Sequence, residues 1–213
     1  CDAYLQDHPG NISMLAFKAI ALEEAGLKAA VGELYDFDRL LRPNNPIPEE
    51  FPDLAAFNAA LADHLLGHPS LTLAPKSHAT RFGRHSGELL VEPKGPVAAL
   101  EQIIIERGDA YRQRMGMDPA HPFLAAPPER FTLTVWAVVL PARGYQTAHI
   151  HPDAWLSGVY YAQVPAAVRM VKVTAASLTG SSIFSRDPVL SNRVNSRGPP
   201  LLRWVVDGWL VKR

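Results

Sequence analysis

The sequence predicts an α+β chain, with helices first and a mainly antiparallel sheet or barrel after them. Three observations lead there. Apolar residues recur at spacings of three and four in three separate stretches between residues 13 and 112. The period then shortens, with 131–140 alternating and SGVYYAQV at 157–164 rich in β-branched and aromatic residues. No regular strand–helix–strand alternation links the two halves, which disfavours a parallel sheet.

Residues 13–41 read as a helical hairpin. Ser13 can cap the first helix, Leu15, Ala19 and Leu22 share one face, and Ala25-Gly26 closes it. The second helix carries Val31, Leu34, Phe37 and Leu41 and stops before Pro43. The segment 42–52 is a proline-rich connector. Phe51, Leu54, Phe57, Leu61 and Leu65 form a further helical stripe, ended by Gly67 and Pro69. LTLAP at 71–75 and LLVEP at 89–93 read as short strands around a polar loop, KSHATRFGRHSGE. A longer helix follows, with Pro96 near its first turn. Val97, Leu100, Ile104 and Tyr111 face inward, and Glu101, Arg107 and Arg112 outward.

Composition bounds the function. At 213 residues the chain can bury one good core. Lys plus Arg and Asp plus Glu both number 21, so there is no basic excess of the kind a nucleic-acid binder shows. The longest apolar stretch is far too short to span a bilayer, and no signal peptide is evident. The single cysteine, Cys1, forms no internal disulfide and suits a reducing compartment, so the chain is expected to be soluble and cytoplasmic. A start at Cys rather than Met points to a fragment of a longer reading frame. Charge is uneven: residues 165–213 hold eight Lys or Arg against Asp187 and Asp207.

Chemistry concentrates at His149-Ile-His151. In an extended chain residues i and i+2 face the same side, so both imidazoles can reach one point. Two histidines and a carboxylate with open positions suit non-haem Fe(II), and Asp153 is the nearest carboxylate, itself paired with His151 as His-x-Asp. On spacing alone, two strand-edge histidines with satisfied hydrogen bonds are the commoner arrangement. His8, His64, His68, His78, His85 and His121 lack partner spacing and read as surface or turn residues, although His85 in FGRHSG is a candidate to approach the same mouth. No phosphate-binding glycine loop or nucleophile elbow occurs.

The run from Trp136 to Tyr161, W-A-V-V-L-x-x-x-G-Y-Q-x-x-H-I-H-P-x-A-W-L-S-G-V-Y-Y, resembles the 2-oxoglutarate/Fe(II)-dependent oxygenase family whose members often follow tetratricopeptide repeats. The segments DFDRLL, SGELLVEPKGPVAALEQII and HPFLAAPPERF resemble it too, and the likeness spans roughly 10–165. The helical hairpin similarly resembles one tetratricopeptide unit, with a generic hairpin as the alternative. The resemblance implies a double-stranded β-helix (jelly-roll) barrel with metal at its open mouth. It places His149, His151 and Asp153 as metal ligands and names Fe(II) and 2-oxoglutarate as cofactors, without fixing which of the three touch the metal. The implied activity is dioxygenase hydroxylation of a small-molecule or protein substrate, an oxidoreductase reaction. Trp155, Tyr160 and Tyr161 either line the site or, as aromatics more often do, pack in the barrel wall.

The resemblance also implies a distal histidine and, beyond it, an arginine for 2-oxoglutarate, and no histidine follows His151. Arg186, Arg193 and Arg197 are the free candidates for the arginine. No catalytic residue is therefore assigned, and an inactive oxygenase domain is expected. The organisation reads as a tetratricopeptide-like segment (1–45), an oxygenase-like domain (46–165) and an atypical basic tail (166–213). That tail is expected to be an altered-frame or degenerate replacement, and as written it is expected to leave the barrel incomplete and its strand edges unpaired. Two other readings compete. One is a cupin-like metal or small-molecule barrel, because Gly144 precedes the His-x-His at similar spacing, although the expected glutamate is replaced by Ala154 and Trp155. The other is a non-enzymatic repeat-associated module that meets a protein partner through the N-terminal helices.

Overall fold

The computed structural model describes residues 1–141 and 143–163, together with the backbone of 203–212. The N-terminal third is helical: α1 (Asp2–Asp7), α2 (Ile12–Glu24), α3 (Lys28–Tyr35), α4 (Phe37–Leu40) and α5 (Leu54–Leu66). The antiparallel α2–α3 hairpin forms where the periodicity predicts it. Its cap is Asn11 rather than Ser13, since the Asn11 carboxamide oxygen accepts from the Met14 amide at 2.9 Å. The second arm does not run unbroken to Leu41. Asp36, at φ 33°, takes a left-handed conformation that ends α3 and starts α4. That turn stacks Tyr35 against Phe37, with ring centroids 5.4 Å apart.

Helix α5 follows the expected stripe, burying Phe57, Leu61 and Leu65 completely. Asp53 Oδ1 caps it by accepting from the Ala56 amide at 2.8 Å. Asp53→Ala is therefore expected to cost about 1 kcal/mol, read as a lower urea midpoint with unchanged slope.

Short strands β1 (Thr72–Leu73), β2 (Thr80–Arg81) and β3 (Arg84–His85) precede the 19-residue α6 (Val97–Met115). β1 lies within the predicted 71–75 segment. β2 and β3 arise inside what reads as a polar loop. LLVEP is not a strand: the Leu89 amide reaches the Val135 carbonyl at 2.8 Å, but no ladder follows, and its leucines serve as buried or half-buried anchors. Helix α6 buries Val97, Leu100, Ile104 and Tyr111 as its pattern predicts.

The remaining strands are β4 (Thr132–Val135), β5 (Val138–Leu140), β6 (Tyr145–Gln146), β7 (Ala154–Gln163) and β8 (Arg203–Lys212). One sheet runs β1-β3-β5-β8-β4 with β7 also on β8, and β2–β6 forms a separate antiparallel pair. Registers show that β4 and β5 follow each other along one edge of β8 while β7 takes the other. Among the described residues the sheet is open and closes no barrel. The α+β class stands. The edges expected to be bare are occupied, because a strand from the 166–213 segment lies between β7 and the β4–β5 line.

Two cores hold the layers together. One packs Phe57, Leu61 and Leu65 of α5 and Leu100 and Ile104 of α6 on Val135, Ala137 and Ala162. The other joins Leu5, Leu15, Leu40, Tyr111 and Phe123 around Trp155 and Leu156 of β7. No helix among the described residues is long and apolar enough to cross a membrane.

Candidate metal centre

The site rests on two backbone arms, 70–87 and 136–152. β3 pairs with β5 through Arg84 opposite Val139 and His85 opposite Val138. β2 pairs with β6 through Thr80 opposite Gln146 and Arg81 opposite Tyr145. The Thr147 amide extends this by donating to the Ala79 carbonyl at 2.9 Å. Gly83, in the β2–β3 turn, is what permits the arms to meet. A Cβ there would lie 2.8 Å from both the Val139 carbonyl oxygen and Leu140 Cδ2. Buried Ser86 clasps the break between β4 and β5, its Oγ accepting from the Ala137 amide at 2.8 Å, which holds neighbouring Trp136 in place.

His149 and His151 sit in the connection from β6 to β7, with ring centroids 4.8 Å apart and planes at 89°. The i, i+2 spacing does bring the two imidazoles together. His149 Nδ1 lies 2.8 Å from the Thr147 carbonyl oxygen. If Nδ1–H donates there, Nε2 keeps its lone pair, the arrangement that orients a metal-binding imidazole. Burial, and then the neighbouring His149 charge, push the His151 pKa down to about 4. At neutral pH its ring is thus uncharged, the form that ligates a metal. Asp153 stands exposed in the turn after His151.

The pair continues into a larger imidazole cluster. The Trp136 ring lies 5.5 Å from that of His151, and His85 stacks on Trp136 at 6.1 Å and 14°. His78 meets His85 edge-on at 4.4 Å. His85 is linked to the pair through Trp136, with its Nδ1 2.6 Å from the Ser86 carbonyl oxygen and its pKa lowered mainly by burial. His78 reads as a loop residue in the sequence, yet its Nδ1 is buried with no hydrogen-bond partner. The one signal for it is local: two histidines seven residues apart in a segment without carboxylates.

Two neighbouring imidazoles are donors of the kind a ferrous ion takes. Among the described residues, no three His, Cys, Asp or Glu side chains converge as a metal would need. Arg186, Arg193 and Arg197 lie outside the described residues. The aromatics divide cleanly. Trp155 is buried core, Tyr160 packs on Phe57 and donates its hydroxyl to Asn58 Oδ1 at 2.5 Å, and Tyr161 is exposed.

Comparison with known proteins returns one family. No curated protein and no solved structure matches this chain. The family model described as "Putative 2OG-Fe(II) oxygenase" matches residues 134–198, which hold Trp136, the histidine pair and all of β7. The match runs past residue 165, where the resemblance was expected to stop, into residues outside those described. Residues 134–198, about a third of the chain, are thus similar to the 2-oxoglutarate/Fe(II) oxygenase family.

Proposed function

We propose that this chain carries an Fe(II)/2-oxoglutarate-dependent oxygenase site of hydroxylase type, with His149 and His151 as metal ligands and Asp153 as their nearest carboxylate. The observation that carries the reading is the imidazole pair, 4.8 Å apart and inside the matched segment. In the family's jelly-roll, such a pair stands at the barrel mouth. Iron(II) and 2-oxoglutarate, when bound, supply O2-dependent hydroxylation of a C–H bond, with 2-oxoglutarate decarboxylated to succinate. The chain's own residues prepare the place. Thr147 fixes the tautomer of His149, burial keeps His151 uncharged, and Trp136 packs against His151 to shield it from water.

Two imidazoles without a third protein ligand hold a divalent ion weakly. The expected result is sub-stoichiometric iron after purification and no turnover of 2-oxoglutarate. Titration with Co(II), an optical stand-in for Fe(II), is expected to give a weak site. His149→Ala or His151→Ala should weaken it at least tenfold. Equal Co(II) binding by all three proteins removes the site. Metal binding that 2-oxoglutarate leaves unchanged favours the cupin-like alternative, and full succinate production overturns the inactive reading.

A further inference from the structure

The two arms of the site share a charge pattern that the metal pair does not use. Residues 70–87 and 136–152 contain Lys76, Arg81, Arg84 and Arg143 and not one Asp or Glu, in a chain whose charges balance as a whole. Among the described residues none of these four cations enters an ion pair. The carboxylates at their borders do not compensate them. Neither Glu88 nor Asp153 forms an ion pair among the described residues: Glu88 Oε1 accepts from the Leu90 and Val135 amides at 3.0 Å each, and Asp153 is exposed in the turn after His151. Cations of one sign without ion-pair partners attract anions and raise their local concentration.

Arg81 is the best-placed of the four. Its Nη1 donates to the carbonyls of both His78 and Thr80, which ties the guanidinium to the loop carrying the cluster's outermost histidine. A guanidinium so held presents its remaining N–H groups without further loss of side-chain entropy, and its planar fork matches a carboxylate. Directly across the β2–β6 pair stands Tyr145. Its ring meets Phe82 at 6.2 Å, and Phe82 is 74% exposed although its backbone sits at φ +52°. A non-glycine residue in left-handed backbone is costly, and here the strained turn presents an aromatic ring to solvent instead of burying it. A cation and an apolar shelf therefore adjoin across one strand pair. Tyr145 precedes His149 by four residues, so the shelf lies within ~14 Å of the metal pair.

We infer that the site's substrate is a small carboxylic acid with an apolar body, its carboxylate on Arg81 and its body on Phe82 and Tyr145. That the ligand is a substrate rests on the oxygenase reading; that it binds here does not. The carboxylate could instead belong to 2-oxoglutarate, and the test separates these sources. Calorimetric titration of the metal-free full chain uses 3-phenylpropanoate, its neutral amide, and 2-oxoglutarate as probes. The acid is expected to bind at least tenfold tighter than the amide. Arg81→Gln should remove that preference and leave the amide unchanged, and Phe82→Ala should weaken acid and amide together. Circular dichroism checks that each variant is folded, and Arg143→Gln, in an exposed loop, provides a second cation change that leaves β2 untouched. Equal binding of acid and amide, or a preference that survives Arg81→Gln, overturns the inference. Tight 2-oxoglutarate binding that displaces 3-phenylpropanoate, and is itself lost in Arg81→Gln, assigns the cations to the co-substrate and overturns their assignment to substrate. Because no metal or turnover enters this assay, loss of the Co(II) site with acid binding intact defeats the oxygenase reading alone.

Discussion

Trp155→Ala is expected to destabilise the protein by about 3–5 kcal/mol, the range for emptying a buried aromatic site. Trp155 is 2% exposed at the start of β7, stacks on Phe123 at 5.5 Å and 8°, and meets Tyr111 edge-on at 5.9 Å. Those rings come from a loop, a helix and a strand, so no single element can close over the cavity. Trp155 Nε1 has no hydrogen-bond partner, so Trp155→Phe forfeits no polar contact and should cost less than half as much. Urea unfolding followed by circular dichroism measures both. A loss below about 1 kcal/mol for the alanine variant would mean that Trp155 is not core.

The second large effect is a loss of stability in acid. His151 has an ordinary pKa of 6.5 that burial and His149 depress to about 4 in the folded chain. Between those values the unfolded chain binds the proton and the folded chain does not, so stability falls as pH drops from 6.5 towards 4 and is unaffected above 6.5. Carried in full, the displacement is worth ~3 kcal/mol. The ring is only half-buried, and solvent screening reduces the expected effect to about 1–2 kcal/mol. His64, His85 and His121 are depressed as well and add to the slope, so the contribution of His151 is the difference between wild type and His151→Gln. Thermal unfolding from pH 7 to pH 4.5 reads it. Parallel curves for the two proteins would show that His151 is not held neutral by the fold.

The long helices were legible because a 3.6-residue apolar period leaves little choice of face. Phe57, Leu61 and Leu65, like Leu100, Ile104 and Tyr111, are buried where the spacing puts them. The His-x-His pair was legible for a similar reason, since backbone geometry alone brings i and i+2 side by side. β2 and β3 were not. Each is two residues long, and although β3 also pairs with nearby β1, the partners that build them into the sheets, β6 and β5, lie more than fifty residues away. LLVEP misled in the opposite direction: its β-like composition serves packing, with Leu89 buried under α5 and α6 and no strand beside it to complete a ladder. The break at Asp36 was equally hidden, because a left-handed aspartate leaves no mark in the apolar period.

The sequence by itself determined the α+β class, the main helices, the histidine pair and the family likeness of residues 134–198, all features written in local spacing or in one contiguous run. Tertiary structure alone decided that Trp155 is core, that β8 from the basic segment joins β7 to β4 and β5, that a chain of rings runs from His78 through His85 and Trp136 to His151, and that Arg81 stands opposite Tyr145. These depend on contacts between segments far apart in the chain. No local period encodes such contacts, because the free energy that selects them comes from burial and pairing available only once the whole sheet has formed.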